Sequence, residues 1–308
     1  MPIPIFVVGW RRAGTTLLAN LIAQHSKVTI VNDNQMPGDL GGAFESVFFS
    51  HLAGKYGDLK HPNNLIRFIE IFGCSSYFEL TGLDKEFLFA ERPETYARLF
   101  RLTMDKFAEK NGADWWVEKS PPHSFHIEEL SRFYDDAKFV AVKRNVVEQV
   151  RSAIGLLVLI GRVSRTGVKR KLKIVREVLA YYGAYKHIER FQKQHPSKII
   201  LIAFEDLIKS RIKTMMAVCD FLQLDFQPQM LKSQYRPATS FKSEIERIQI
   251  LSPQDMKMIH VLSSFCTRLP YPFYRILYVA KRKIYGQKLP DFFFITKVIR
   301  SGWNNIEL

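Results

Sequence analysis

The sequence predicts an α/β sandwich, a central parallel sheet of about five strands flanked by helices. Five short apolar runs carry the strands: Ile5–Val8, Val28–Val31, Trp115–Val117, Phe139–Val142 and Ile199–Ile202. None shows the polar alternation of a half-exposed strand, so each reads as buried on both faces. Helical patterns separate them at Thr15–Gln24, Glu94–Lys110, His126–Phe133, Val147–Ile154 and Lys171–Gln194, and strands alternating with helices pair in parallel. The spacing Gly9-x-x-x-x-Gly14 directly after the first strand makes the sandwich P-loop-type. A glycine-framed turn of this kind aims backbone N–H groups and a helix N-terminus at one spot, which is an anion site.

The elements follow in order. Pro4 to Val8 forms the first strand, and the loop Gly9-Trp10-Arg11-Arg12-Ala13-Gly14 leads into a helix at Thr15 and Thr16. The lysine of a nucleotide-triphosphate loop is replaced by Thr15, and the cation stands inside the loop at Arg12. After the second strand, about 32–93 is glycine-rich and irregular, with modest helices at best. It is expected to wall or lid the carboxyl ends of the strands, where such sheets bind ligands. The third strand runs into Glu118-Lys119-Ser120-Pro121-Pro122-His123. The fourth ends at Lys143-Arg144, and Ser152 lies two helical turns beyond Arg144 near the same face. Arg144 and Ser152 together can grip a second phosphate with a charged fork and a hydroxyl. From about 270 to 308, Tyr271, Phe273, Tyr274, Tyr278 and Phe292 to Phe294 mix with Arg275, Lys281, Arg282, Lys283 and Lys288. That pattern reads as a packed helix pair with a solvated basic face, or as a peripheral membrane contact.

Composition bounds the rest. A chain of 308 residues with 47% hydrophobic content buries a large core, and it is read as one domain over 1–308. Its net charge of +15 points to an anionic ligand, substrate or surface. Nucleic acid would account for the charge but not for two phosphate motifs, and it is not expected as a partner. Cys74, Cys219 and Cys266 are odd in number and lack metal-ligand spacing, so they read as buried thiols in a reducing compartment. No metal is expected. The longest apolar run, Ala153 to Ile160, is too short to span a bilayer, and no leader is expected ahead of the first strand. The expectation is a soluble cytoplasmic protein.

Arg12-Ala13-Gly14-Thr15-Thr16 resembles the 5′-phosphosulfate loop of sulfotransferases that use PAPS, 3′-phosphoadenosine 5′-phosphosulfate. Arg144 to Ser152 is similar to that family's 3′-phosphate motif, and Glu118-Lys119-Ser120-Pro121 to a segment of its tyrosylprotein and bacterial branch. Ala203 to Leu207 and Val218 to Leu231 resemble two further segments, and all five fall in the family's order. Arg11, Ala13, Val146, Glu148 and Phe204 depart from the family's usual residues; Phe204 stands in place of a Tyr whose hydroxyl can reach the adenine amine.

The resemblance implies a PAPS-dependent sulfotransferase moving a sulfuryl group in line to a hydroxyl-bearing acceptor, such as a carbohydrate, a tyrosyl peptide or a small alcohol. Arg12 would neutralise the departing phosphate oxygen. Ala13, Gly14, Thr15 and Thr16 would bind the 5′-phosphate, Arg144 and Ser152 the 3′-phosphate. Lys119 would hold the sulfuryl group or the leaving oxygen. The base implied by the tyrosylprotein branch falls at Asp33. Asn32-Asp33-Asn34 reads equally as a turn or cap, and Glu45, Glu118 and His123 are alternative bases. Asn34 and Gln35 could line the acceptor pocket, and Arg236, Ser240 and Lys242 could close over the nucleotide. Lys169-Arg170-Lys171-Leu172-Lys173 reads as the solvated start of a long helix, and an anionic acceptor would be sought there.

Two other readings remain at this point. A P-loop kinase or NTPase needs a lysine after Gly14, which Thr15 denies, and a magnesium-binding acid, which Glu205-Asp206 could mimic. A catalytically inactive PAPS-binding protein would lack the base or Lys119.

Overall fold

The computed structural model describes residues 1–33, 43–232 and 249–277. Its centre is a five-stranded parallel sheet in the order β2-β3-β1-β4-β5, made of β1 (Ile3–Val8), β2 (Val28–Ile30), β3 (Trp115–Lys119), β4 (Lys138–Lys143) and β5 (Ile199–Ala203). All five expected strands are present. They were legible because both faces are covered, so apolar residues run without interruption. The strand order reverses around β1, which opens a crevice at its carboxyl end.

Helices cover both faces. On one lie α1 (Thr15–Ile22) and α10 (Arg211–Leu222), packed on Ile5, Val7, Val117, Val140 and Val142. The other face is an aromatic layer built on Phe6, Trp116 and Phe139, against α5 (Tyr96–Lys110), α6 (Ile127–Phe133) and the second half of α8 (Val168–Gln194). Phe6 stacks on Phe139 at 5.5 Å between ring centroids and meets Trp116 edge-on at 5.6 Å. Such pairs add about 0.5–1.5 kcal/mol each beyond the area they bury.

The stretch between β2 and α5 is more regular than expected. It holds a π-helical turn (Phe48–Leu52), α2 (Pro62–Gly73), α3 (Ser76–Thr81) and α4 (Glu86–Glu91). In α2, Leu65, Phe68, Ile69 and Phe72 are the buried residues, and their i, i+3, i+4, i+7 spacing is a helical stripe that the surrounding glycines obscured. Cys74 is a correction: it is exposed, whereas Cys219 and Cys266 are buried.

A third group stands beyond the carboxyl edge of the sheet. The helix α8 descends beside β4: the Tyr181 hydroxyl donates to the Arg144 carbonyl (2.9 Å), the Tyr185 hydroxyl to Val142 (2.7 Å), and Phe191 packs on Phe139. Val168 is thirteen residues before Tyr181, so the start of α8 projects about 20 Å past that edge at 1.5 Å per residue. The helix α7 (Val146–Leu159) rises beside it, and α11 (Pro253–Arg268) packs on α8 and shares a cluster with Val150 and Ile154 of α7. Val150, Ile154, Ile174, Val178 and Ile259 form this small separate core. Arg170 is a further correction. It is buried, and its guanidinium pairs with Asp255 at 3.0 Å and donates to the Ile250 carbonyl. The short α9 (Phe204–Lys209) follows β5, and a helical stretch over 271–277 ends the described chain.

Candidate active site

The loop after β1 ends on Gly14, the N-cap of α1, whose φ of 101° lies in the left-handed region. A glycine cap has no side chain to hold the first N–H groups of α1, and no side-chain cap bond is made. Those donors are therefore left for an anion. A Cβ on Gly14 would collide with the Phe204 ring, and one on Gly9 would lie 2.5 Å from the Val142 carbonyl oxygen. Both positions thus require glycine for space as well as for backbone conformation.

Arg12 also adopts a left-handed conformation, with φ of 66°, which is costly for a non-glycine residue and recurs at functional sites. The conformation joins two regions that are distant in sequence. Its Nε donates to the Ser152 hydroxyl at 3.0 Å, and its carbonyl accepts from Arg144 Nη1 at 3.3 Å. Arg12, Arg144 and Ser152 therefore form one cluster, where the sequence had indicated two separate grips. Phe204 lies under it, with the Arg144 guanidinium 4.6 Å from the ring centroid. The ring fills the space between Gly14 and Arg144, a packing role beyond the lost hydroxyl that the sequence emphasised. Ala13 and Thr15 are buried, and Thr16 is half-buried.

Several supporting residues went unrecognised in the sequence. The Gln149 amide donates to the Arg11 carbonyl at 2.7 Å, and Glu177 of α8 receives both Arg11, with Nε at 3.0 Å, and the Trp10 indole N–H at 3.3 Å. The Gly9 N–H donates to the Ser124 hydroxyl at 2.9 Å. Asn145 caps α7 by accepting from the Val147 N–H at 2.9 Å, and its own N–H donates to Glu205. Only the Asn145 cap had a readable signal, an Asn directly before an apolar helix. Glu205 is engaged in this contact with the loop before α7, and Glu148 pairs with Arg151.

At the end of β3, Lys119 is 3% exposed, and its amine meets Glu45 at 2.8 Å. A solvated strand-end lysine is excluded by that burial. Lys119 lies on the same sheet face as Val117 and α1, while Glu118 lies on the other. Glu118 is fully buried and accepts from the Ser46 and Ser120 hydroxyls and from His123 Nδ1 at 2.5–2.7 Å. Burial alone would raise its pKa, but His123, Ser120 and Ser46 outweigh that and hold it below the ordinary range. His123 sits buried in a 3₁₀ helix (Pro121–Phe125) and accepts the Phe49 N–H at 3.2 Å.

Asp33 is buried, three residues past β2. The adjoining chain pairs back on itself, with Asn32 opposite Ala43 and the Phe44 N–H on the Val31 carbonyl at 2.8 Å. That pairing leads to Glu45, which lies beside the end of β3. Asn34, Gln35, Arg236, Ser240, Lys242 and the basic, aromatic stretch from Tyr278 lie outside the described residues. Among the described residues no cluster of three or more His, Cys, Asp or Glu could hold a metal, and no helix is long and apolar enough to cross a membrane. A cavity of about 580 Å³ between α6, α8 and Tyr271 to Arg275 lies on the flank of the molecule and includes no residue of this cluster.

A glycine-framed loop, an uncapped helix N-terminus and two arginines at the reversal point of a parallel sheet define an α/β protein of the P-loop type. Within that class, a profile described as "Sulfotransferase family" matches residues 4–228, and the chain belongs to that family. The sulfotransferase domain of the Synechococcus PCC 7002 olefin synthase shares the fold, with 17% identity over 87% of this chain and 96% of that one and a TM-score of 0.52. The sulfotransferase domain of the curacin biosynthetic pathway matches at 18% identity over 81% and 83% of the two chains, with a TM-score of 0.49. A mouse sulfotransferase complexed with PAP matches at 12% identity over 91% and 89%, with a TM-score of 0.46. No curated protein matches in sequence.

Proposed function

We propose that this sulfotransferase takes its sulfuryl group from PAPS and delivers it to a hydroxyl-bearing acceptor. The observation that carries this reading is Arg12, whose side chain reaches Ser152 and whose carbonyl holds Arg144. That bond network spans the two phosphate-binding segments that a nucleotide with phosphates at both its 3′ and 5′ positions requires. The donor set suits such a group: two guanidiniums, the hydroxyls of Thr15, Thr16 and Ser152, and the open N–H groups of α1. Bound PAPS would supply an activated sulfuryl group whose leaving group is a nucleotide phosphate.

The chain's own residues then have distinct tasks. Arg12 and the N–H groups of Gly14, Thr15 and Thr16 hold the 5′-phosphate and neutralise the charge that grows on it. Arg144 and Ser152 hold the 3′-phosphate. Lys119 presents a buried ammonium from β3 to the same edge. The Asp33 carboxylate takes the acceptor's hydroxyl proton. Glu45 is the second choice for that proton because it already contacts Lys119. The environment of Glu118 speaks against it as a base, since three hydrogen bonds weaken its basicity and water is excluded.

Thermal stabilisation and labelled-sulfate transfer test the reading together. Adenosine 3′,5′-bisphosphate is expected to raise the melting temperature without magnesium. Protection by ATP with magnesium instead would overturn the assignment in favour of an NTPase. Arg12→Ala is expected to lose both nucleotide protection and transfer, and Asp33→Asn to lose transfer alone by about 10²-fold or more. Full activity in Asp33→Asn would move the base to Glu45.

A further inference from the structure

We propose that the tip of the α7–α8 hairpin is a docking surface for an anionic phospholipid bilayer. From Ser152 to Arg176 the chain contains no carboxylate, while Arg162, Arg165, Lys169, Arg170, Lys171, Lys173 and Arg176 supply seven cations. Asp255 pairs with Arg170, which is buried. Arg162, Arg165, Lys169, Lys171 and Arg176 are exposed, and Lys173 is half-buried. Lys169, Lys173 and Arg176 follow one another at helical spacing, and Glu177, next on that face, is occupied by Arg11 and Trp10.

Two features separate this surface from an ordinary solvated face. First, the first turn of α8 has no acidic residue and carries Lys169, Arg170 and Lys171, although a helix N-terminus is already positive. Cations there cost stability, and an anion brought to them removes that cost. Second, large aliphatic side chains stand among the charges: Val168 is 73% exposed, Leu172 64%, Leu159 44% and Ile160 37%. Water gains nothing from these four, and neither does a sulfated polysaccharide, whereas a bilayer interface accepts aliphatic residues and attracts lysines at once. The loop between the helices is itself anchored, with the Val163 side chain buried and the Arg162 and Val163 N–H groups donating to the Leu157 carbonyl. The tip is thus a built projection at the carboxyl edge, and docking there would face the candidate active site towards the lipid surface.

The inference does not depend on sulfuryl transfer, since vesicle binding needs neither nucleotide nor acceptor. The full chain should co-sediment with vesicles of equal parts phosphatidylcholine and phosphatidylserine, and not with phosphatidylcholine alone. Lys169→Glu with Lys171→Glu should weaken that binding by about thirtyfold or more, from about 1 kcal/mol for each lysine at such a surface. The double variant should melt no lower than the parent, because acids suit a helix N-terminus. Val168→Ser with Leu172→Ser should weaken binding by about tenfold through lost apolar insertion. Equal binding to neutral vesicles, unchanged binding in the charge variant, or retention on heparin without vesicle binding would each overturn the proposal, the last by assigning the surface to a soluble polyanion.

Discussion

The two halves of α8 are one continuous helix with opposite tasks. From Tyr181 to Phe191 it lies along β4 and buries Tyr181, Ala184, Tyr185, Ile188 and Phe191 in the aromatic layer. From Val168 to Arg176 it stands clear of the sheet and buries Arg170 and Ile174 alone. Glu177, at the boundary, is turned to the loop between β1 and α1, where it accepts from Trp10 and Arg11. The contrast shows where stability and function separate. The lower half contributes packing energy to the domain, and the upper half carries an excess of basic residues, Lys169, Lys171, Lys173 and Arg176.

The largest expected effect tests the lower half. Phe191→Ala should cost about 3–5 kcal/mol, the usual range for emptying an aromatic position in a closed core, as measured by urea unfolding. A loss no greater than that of the upper-half variants would break the comparison. Asp255→Ala comes next, at about 3 kcal/mol, because it strands the buried Arg170 guanidinium. This effect has a pH signature. Burial raises the Asp255 pKa, but the Ser252 N–H and Arg170 bring it below the ordinary value of 3.8. Its stabilising contribution is therefore complete above 3.8 and lost as the pH falls through the lowered folded value. The gap between parent and variant in melting temperature should narrow in acid. A gap independent of pH would mean that Asp255 acts by packing alone.

The smallest effect lies at the boundary. In Glu177→Gln, Arg11 is 41% exposed and can turn to water, so the loss should be near 1 kcal/mol. Its value is in a second measurement: calorimetric titration with adenosine 3′,5′-bisphosphate should show about fivefold weaker binding, because the loop carrying Arg12 loses its brace. Unchanged affinity would make Glu177 a residue of the fold only.

Much of this architecture was legible from local pattern. The strand runs and the glycine frame could be read because each depends on neighbours in sequence. The amphipathic period of α2 was also present, but glycines at Gly54, Gly57 and Gly73 made the region read as irregular. What could not be read were contacts made across the sheet. Gln149 on the Arg11 carbonyl, Glu177 on Arg11, Phe204 against Gly14 and Glu45 on Lys119 join residues 74 to 190 positions apart, and nothing in the local spacing of either partner announces the other.

The sequence alone determined the class of site: apolar runs select buried parallel strands, and a glycine-framed turn before a helix makes an anion cradle wherever it occurs. Tertiary structure decided how the parts combine. It joined the loop after β1 to Arg144 and Ser152 through the left-handed Arg12, turned Glu118 inward and Lys119 towards the loop face, and buried Arg170 out of a run that looked wholly solvated. The physical reason is the same in each case. Backbone pattern is set by residues a few positions away, whereas the partner of a charged side chain is set by whichever strand or helix the fold places against it.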